Sequence, residues 1–328
     1  MAKAAGVSSA TVSRVFSGAA KVDPATHKRV VQAAKKSGYV PNAYARTLSS
    51  GRSNTYGLIL SDLTNPFFPD LVKSFQQKAR EFGYETLISD TDYDLGRMEQ
   101  SVRRMVEYKV DGVAIMTSEM SAPLLQVLRQ RKIPMVFLDT GKPGPLVSNV
   151  SIDYEQGVNL AIQHLTSLGH SRIALIQGPA ELRSAVLRRD AFLHALKRHG
   201  VRPVIAHIRT SDHSVEGGKR AMLELLKRKP WPTAVMCSND LSAIGALHAA
   251  HGEGIGVPQQ LSIIGFDDIG TSSLMQPPLT TVRVSRTEVA TRAFTALHAM
   301  TQGERTRGLS EVIPCDLVVR GSTAAVQA

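Results

Sequence analysis

The chain has 328 residues, 43% of them hydrophobic, which is enough to bury the cores of about two domains. Its cysteine count of two excludes a disulfide-stabilised framework, and we expect Cys237 and Cys315 to be buried free thiols. The formal net charge is +11, and residues 1–53 hold nine basic residues against one acidic residue. Such asymmetry is typical of a nucleic-acid-binding segment joined to a nearly neutral body.

The sequence lacks the patterns that are typical of several other classes of protein. No apolar run approaches the roughly 18 residues of a membrane-spanning helix, and no secretion signal opens the chain, so we expect a cytoplasmic protein with no membrane partner. No G-x-G-x-x-G follows a predicted strand, no Walker sequence occurs, and the histidines and cysteines lack metal-ligand spacing. We therefore expect neither an enzyme nor a metal or cofactor site.

The string GVSSATVSR predicts a short helix with an unusual exposed face. Gly6 supplies a tight turn, and Ser8 caps a helix that begins near Ser9 and ends near Ser17. With Val12 and Val15 turned inward, the exposed residues are Ser9, Ala10, Thr11, Ser13 and Arg14. Small side chains permit close approach to a major groove, hydroxyls bond phosphates, and an Arg can grip guanine. The alternative is an ordinary solvated helix of a small bundle.

Two more helices complete a predicted all-α head over residues 1–38. One precedes the turn at Gly6. The other begins after Asp23 and Pro24, which are the preferred residues for a helix cap and a first helical position, and it ends at Gly38.

A further short helix, separate from the three helices of the head, is predicted after the extended connector Tyr39-Val40-Pro41. Asn42 caps the segment AYARTL, which forms about two turns and is too short to be stable alone in water. DNA or the same helix of a second subunit would have to order it. The alternative is that this segment is a polar linker with incidental helicity. The residues that follow it, 49–54, are expected to link it to the body.

From Tyr56 onward, short apolar runs alternate with segments of helix length. Strands are predicted at 56–61, 84–89, 111–116 and 134–138, then at 172–177, 203–208, 233–238 and 262–266. Helices are predicted near 69–82, 95–108 and 121–131, then near 155–168, 187–199, 215–228 and 241–252. Apolar runs without strict alternation favour parallel strands covered on both faces. The predicted fold class is therefore α/β, with two parallel, doubly wound halves and a cleft between them.

Polar and aromatic residues follow several of these strands, at the edge where open parallel sheets bind ligands. They are Asn65, Phe67, Phe68, Asp139, Arg188, Asn239 and Asp267. Carboxylates, an amide, an Arg and aromatic rings together are typical of a polyol site. Alternatively, the aspartates are helix caps, an interpretation that suits Asp240 and Asp268 better, and the two Phe rings are core. Arg183 and Arg189 lie nearby and hint at an anionic ligand.

The strings GVSSATVSRVFSG and GYVPNAYARTL resemble the lactose-repressor (LacI/GalR) family of bacterial transcription factors, over nearly the whole chain. The resemblance implies a body like that of periplasmic sugar-binding proteins, in which the chain crosses between lobes three times. The expected crossings are near 153–156, 278–282 and 305–310. The implied domains are a helix-turn-helix head at 1–38, a hinge helix and linker at 39–54, and an effector-binding and dimerisation body at 55–328. Within the body, the implied lobes are 55–153 with 282–306, and 156–278 with 310–328.

The resemblance also assigns roles to residues. In the family the hinge helix pairs with its dimer mate in the minor groove, where Leu48 would open a base step, Ala45 would allow close approach and Arg46 would lie near phosphates. The implied DNA-binding residues are Ser8, Ser9, Ala10, Thr11, Ser13, Arg14, Thr26, Asn42, Ala45, Arg46 and Leu48. The implied effector-binding residues are Asn65, Phe67, Phe68, Asp139, Arg188, Asn239 and Asp267. His213 stands where a stacking aromatic residue is common.

The function implied is that of a repressor that binds a palindromic operator on double-stranded DNA as a homodimer and responds to a small sugar-like effector. The apolar residues of the segment 69–82 either contribute to the dimer interface or belong to the core. Family members commonly begin several residues earlier, so the first helix is expected to be truncated. The alternative is therefore a sugar-binding receptor whose incomplete head has lost DNA function.

Overall fold

The computed structural model describes residues 1–17, 22–38, 51–117, 120–204, 207–227 and 229–326. In the described part of the head, helices α1, α2 and α3 span Ala2–Ala5, Ser9–Ser17 and Pro24–Ser37. Gly6 adopts a left-handed φ of 63°, and the Thr11 amide donates to Ser8 Oγ at 3.1 Å. The Thr26 amide donates to Asp23 Oδ1 at 2.9 Å. The predicted caps and helix bounds are confirmed, and Val12, Val15 and Val30 pack at the centre of this unit.

The body begins with three strand–helix units followed by two strands. They are β1 Thr55–Leu60, α4 Phe67–Glu81, β2 Glu85–Asp90, α5 Leu95–Glu107, β3 Gly112–Met116, α6 Ala122–Gln130, β4 Met135–Leu138 and β5 Val147–Ile152. The second series follows with α7 Tyr154–Ser167, β6 Ile173–Gln177, α8 Arg183–Arg198, β7 Ile208–Thr210, α9 Val215–Leu226, β8 Ala234–Cys237, α10 Asp240–Gly252 and β9 Ser262–Asp267. The last elements are β10 Thr280–Val284, α11 Arg286–Thr301, β11 Ser310–Ile313 and β12 Cys315–Val318.

The described strands form two six-stranded sheets. Their orders are β11-β5-β4-β3-β1-β2 and β12-β10-β9-β8-β6-β7. The paired strands run parallel except β10 and β12, which are antiparallel. Alternate residues of β1 show why the runs are apolar throughout: Leu58 and Leu60 join the core under α4 and α11, whereas Ile59 joins the core under α5 and α6. The α/β class with two doubly wound lobes is confirmed.

The crossings between the lobes lie at Asp153, Ser285 and Pro314, because β5, α11 and β11 belong to the first lobe and α7, β10 and β12 to the second. The first agrees with the expected range, but the other two lie later than the expected 278–282 and 305–310. The reason is that β10 (TTVRV) and β11 (SEVI) carry polar residues and were not predicted as strands. Thr281 can be buried in β10 because its hydroxyl donates to Asp240 Oδ1 at 2.5 Å.

Two other predicted bounds were wrong. The strand predicted at 203–208 lies at Ile208–Thr210, since β7 is a short edge strand and the apolar run precedes it, with Val204 exposed. Helix α8 begins at Arg183, a turn before the predicted 187, because its first turn, RSAV, is half polar and gives little periodic signal. Cys237 and Cys315 are buried free thiols, as predicted.

The apolar stripe of α4 lies inside the chain. Leu71, Phe75 and Ala79 are fully buried in the first lobe, where α4 packs against α11. Of the two interpretations offered for this stripe, the structure supports core packing.

Candidate ligand cleft and nucleic-acid interface

A cleft lies between the two lobes at the carboxyl ends of the strands, with about 620 Å³ of empty space that includes part of its mouth. The residues predicted from strand ends all line it: Asn65, Phe67, Phe68, Asp139, Arg188, Asn239 and Asp267. Topology explains the convergence, because each residue lies at the end of a parallel strand, in the loop after it or in the first two turns of the next helix, and the two carboxyl edges face each other.

Arg188 is the central cation of the cleft. Its side chain is nearly buried on α8, its Nη1 donates to the carbonyl of Ser238 at 2.6 Å, and its Nη2 lies 3.3 Å from Asp267 Oδ1. The guanidinium carbon lies 4.4 Å from the ring centroid of Phe266 and 5.1 Å from that of Tyr154, so both rings stabilise the charge. Within the described residues, Arg188 Nε is buried without a hydrogen-bond partner. A bound molecule with an acceptor atom would satisfy it.

Two carboxylates of the cleft belong to residues with a positive φ, a backbone conformation that residues other than glycine rarely adopt. Asp267 has a φ of 109° at the end of β9, and Asp139 a φ of 64° after β4. Burial raises the pKa of Asp267 to about 6, although Arg188 and Arg286 oppose the rise. Strain and desolvation at both carboxylates are features that collect at functional sites.

Asp139 is held by Tyr154, which the sequence analysis did not identify. The Tyr154 hydroxyl donates to Asp139 Oδ2 at 2.6 Å, and the Ile152 amide donates to Oδ1 at 2.9 Å. Burial raises the pKa of Asp139, and these two hydrogen bonds oppose the rise. Tyr154 begins α7, directly after the first crossing, and that position was the signal that could have revealed it.

The first lobe adds an aromatic wall at the start of α4. Phe67 and Phe68 pack edge to face, with ring centroids 5.4 Å apart at an interplanar angle of 89°. Both rings line the cleft and both belong to the core, so a role in core packing does not exclude a position in the cleft. Asn65 Oδ1 accepts the Phe67 amide at 3.0 Å, which fixes the turn into α4.

Asn239 and His213 are tied to each other at the floor of the cleft. Asn239 caps α10, since its Oδ1 accepts the Ser242 amide at 2.9 Å, and its Nδ2 donates to the His213 carbonyl at 2.9 Å. His213 Nε2 is 2.9 Å from Ser238 Oγ. Burial, reinforced by Arg188, lowers the pKa of His213 to about 3, so the imidazole is neutral. The helix cap and the bond to His213 therefore engage both ends of the Asn239 amide.

Four charged residues near the cleft have structural partners instead. Asp240 Oδ2 accepts hydrogen bonds from Ile269 N and Ser272 Oγ at 2.8 and 2.6 Å, and Asp268 pairs with Arg283 and Arg320.

The two arginines also have partners of their own. Arg183 Nε donates to the carbonyl of Asp139 at 3.2 Å, and Arg189 pairs with Asp190 at 2.8 Å. Neither Arg183 nor Arg189 lines the cleft. Among the described residues, the charged groups that line the cleft are Asp139, Asp267 and Arg188, and this set does not favour an anionic ligand.

Thr117 is a second lining residue that the sequence analysis did not identify. It follows β3, and its Oγ1 is buried without a hydrogen-bond partner in the described part of the chain. Arg188 and Thr117 therefore each carry one polar atom without a partner among the described residues, and the two residues line the cleft from opposite lobes.

The head exposes the face that the sequence predicts. Ser9, Ala10, Ser13 and Arg14 are exposed, and Thr11 is half-buried, with its hydroxyl 3.0 Å from Ser8 Oγ. Thr26 lies in the first turn of α3, where its Oγ1 accepts Arg29 Nη2 at 3.1 Å. The remaining predicted residues, Asn42, Ala45, Arg46 and Leu48, lie outside the described residues.

The described residues offer no sign of a metal site or a membrane span. They contain no group of three or more His, Cys, Asp or Glu side chains that could hold a metal ion. None of their helices is both long and apolar enough to cross a membrane.

Comparisons with known proteins agree with this division of the chain. Residues 1–42 match the family described as bacterial regulatory proteins, lacI family, and residues 162–323 match the periplasmic binding protein-like domain. The repressor CytR of Escherichia coli K12 is 34% identical over 321 residues, covering 98% of this chain and 94% of CytR. The regulator DegA of Bacillus subtilis is 35% identical over 327 residues, covering 99% and 97%. The ribose operon repressor of Escherichia coli K12 is 33% identical over 327 residues, covering 98% of each.

Solved structures show the same architecture. A lac repressor dimer bound to operator and the anti-inducer ONPF has a TM-score of 0.87 and 28% identity, covering 99% of this chain and 98% of that one. A LacI family regulator from Enterococcus faecium with bound ribose has a TM-score of 0.74 and 28% identity, covering 83% and 100%.

A helical head with an exposed polar face, followed by two lobes around a polar cleft, defines a DNA-binding regulator with a ligand-sensing body. The chain belongs to the lacI family of bacterial regulatory proteins. It is a transcriptional regulator and not an enzyme.

Proposed function

We propose that the protein is a repressor that binds a palindromic operator as a homodimer in the cytoplasm and responds to a sugar or sugar derivative bound in the cleft. One observation carries this proposal: residues scattered from Asn65 to Asp267 converge on one cleft, in a chain whose head exposes a major-groove face. The division into head (1–38), hinge helix and linker (39–54) and effector-binding, dimer-forming body (55–328) follows from it.

On the DNA side, α2 enters the major groove. Ser9, Ala10, Thr11 and Ser13 approach the backbone and base edges, and Arg14 contacts a base. Ser8 and Thr26 mark the starts of α2 and α3, where backbone amides and hydroxyls face phosphates. The hinge residues Asn42, Ala45, Arg46 and Leu48 complete the interface in the minor groove.

On the effector side, the cleft suits a neutral, hydroxyl-rich ligand. Asp139, Asp267 and Arg188 can each serve adjacent hydroxyls, and Phe67 and Phe68 offer apolar rings to a sugar face. Asn65 supplies an amide, and Asn239 acts by holding the floor of the cleft in place. Related structures with bound ribose and with cellobiose support a sugar.

Ligand and operator are coupled through the angle between the lobes. A ligand that contacts both lobes favours one angle, and the operator favours the angle at which the two heads match the two half-sites. The operator-bound lac repressor dimer supports the same assembly for this chain.

The DNA arm of the test compares two cations of the head. Arg14→Ala is expected to cost about 1 to 3 kcal/mol of specific operator binding and to relax specificity at one base position. Lys35→Ala, which removes an exposed cation from α3, is expected to weaken binding equally across sequences. Equal losses on all sequences from both variants would contradict the assignment of Arg14.

The ligand arm uses thermal unfolding with D-ribose, cellobiose and a panel of other sugars as probes. A binding sugar is expected to raise the midpoint of wild type, and Thr117→Val to remove most of that rise without lowering the midpoint in buffer, because a buried unpaired hydroxyl is replaced by a methyl group. No rise with any sugar would contradict the sugar proposal.

A further inference from the structure

A cluster of contacts fastens the end of the linker to the base of the first lobe. Asp111, which precedes β3, accepts hydrogen bonds on both carboxylate oxygens. Its Oδ1 accepts the Ser53 amide at 3.0 Å and the Ser53 hydroxyl at 3.3 Å, and its Oδ2 accepts the Asn54 amide at 2.9 Å. Ser53 and Asn54 stand immediately before β1, so the carboxylate holds the point at which the chain arriving from the head enters the body.

Two further contacts hold the same segment. Arg52 Nη1 donates to Gln302 Oε1 at 2.9 Å, and Gln302 Nε2 donates to the Tyr84 hydroxyl at 2.9 Å. The Asn54 carbonyl accepts the Glu85 amide at 2.9 Å. Residues 52–54 are thus bonded to the loop before β3, to the start of β2 and to the end of α11.

The Asp111 carboxylate is not required for the pairing of the neighbouring strands. β1 is already paired with β2 and β3 along its length, so the body would keep its sheet without Asp111. What Asp111 adds is a fixed direction for the two residues before β1, and Asn54 keeps a left-handed φ of 50° in that arrangement.

We propose that Asp111 is a positioning residue for operator recognition, which fixes the direction in which the linker leaves the body and thereby the spacing of the two heads. The inference rests on the proposed operator-binding dimer. A dimer gains affinity from its second head only when the linkers present both heads at the half-site separation, since freedom in a linker lowers the effective concentration of the second head.

The test uses the full chain and an operator selected by wild type from a palindromic library. Each protein is measured on three DNAs: the selected operator, the same operator with one base pair inserted between half-sites, and a single half-site. Asp111→Ala is expected to lose about tenfold in affinity for the operator, to discriminate less between the two spacings, and to keep single half-site affinity within about twofold of wild type.

Asp94→Ala is the matched control, because Asp94 is an aspartate of the same lobe that accepts the Arg97 amide at 2.7 Å and caps α5 after the carboxyl end of β2, at the sheet edge opposite the one where the linker enters β1. It is expected to keep the spacing preference of wild type. Asp111→Asn is the second variant. It keeps the shape of the side chain and one acceptor for Ser53, loses the acceptor for Asn54, and is expected to fall between wild type and Asp111→Ala.

The outcomes separate this inference from the proposed function. If wild type selects no operator, the proposed function fails, and this inference with it. If wild type selects one and both Asp111 variants keep the wild-type spacing preference, the positioning role is overturned while the proposed function stands. A parallel loss on all three DNAs, the single half-site included, would also overturn it, since that pattern belongs to a general loss of structure.

Discussion

Arg286 and Asp267 join the two lobes beside the second crossing, where Arg286 Nη1 donates to the main-chain carbonyl of Asp267 at 2.7 Å. Arg286 begins α11 in the first lobe, and Asp267 ends β9 in the second, with its side chain in the cleft. The Nε of Arg286 also lies 3.1 Å from Asp70 Oδ2 on α4. The Arg286 side chain therefore connects the backbone of a cleft residue, Asp267, to α11 and α4 of the opposite lobe.

The two partners of Arg286 are expected to differ in their contribution to stability. Asp70 is exposed, and a surface ion pair contributes at most about 1 kcal/mol, whereas a hydrogen bond from a charged donor contributes about 1.5 to 3 kcal/mol. Arg286→Met should lower the free energy of unfolding of the body in urea clearly more than Asp70→Asn does. Arg283→Met, which removes a half-exposed arginine paired with Asp268 within the second lobe, is the control. Equal losses from Arg286→Met and Asp70→Asn would show that the bond between the lobes contributes little.

Removing one member of the Arg188–Asp267 pair should cost more than removing both charges. Arg188→Met leaves the Asp267 carboxylate buried and unpaired, which typically costs about 3 to 5 kcal/mol. In Arg188→Met/Asp267→Asn no charge is left without a partner, so the double variant should unfold at a higher urea concentration than the single one. Both should fail to bind any sugar that stabilises wild type. A double variant less stable than Arg188→Met alone would refute this account of the pair.

The pH dependence of stability should carry a contribution from Asp240. Burial raises its pKa from 3.8 to about 7 in the folded protein, although Ser272, Thr281 and Ile269 donate hydrogen bonds to it. Between these values the folded state holds the proton more tightly than the unfolded state, so this group lowers the free energy of unfolding as the pH rises from about 4 to about 7. Asp240→Asn has no proton to lose there, and its stability should fall less over that range. Wild-type and variant curves with the same slope would contradict the prediction.

Two glycines of α10 should respond in opposite ways to alanine. A Cβ on Gly245 would lie 1.9 Å from the Val215 carbonyl oxygen of α9, so Gly245→Ala must separate the helices at a cost of about 1 to 3 kcal/mol or more. A Cβ on Gly252 would meet no atom of the described residues within 4 Å, and alanine there should stabilise by up to about 1 kcal/mol. Thermal unfolding of the two variants checks this, and a stabilised Gly245→Ala would refute the close contact between the helices.

Local chemistry made the head predictable. Asp23, Pro24 and Gly38 act within one helix, and their effects on its ends do not depend on distant residues. The cleft residues were predictable for a related reason: strands with apolar residues on both faces are parallel, and the edge where such strands end is common to all of them.

The rest depended on contacts between distant parts of the chain. Strand β10 was not predicted because Thr281 is a polar residue. Its burial depends on the hydrogen bond from its hydroxyl to Asp240, which is distant in sequence. Tyr154 and Thr117 are ordinary residues in sequence, and their positions in the cleft arise from the crossing and from the opposing lobe. The bond from Asn239 Nδ2 to the His213 carbonyl likewise joins residues that are distant in sequence.

We expect this chain to recognise a two-fold symmetric DNA sequence through its head. The most direct measurement is selection of DNA by the purified protein from a library of palindromes with random half-sites, with affinities then measured at two salt concentrations. We expect enrichment of one palindrome and a steep fall in affinity with salt, because phosphate contacts release counterions. The lac repressor, a relative of this chain, is the usual example of that general rule. Absence of an enriched sequence, or binding that does not respond to salt, would contradict this expectation.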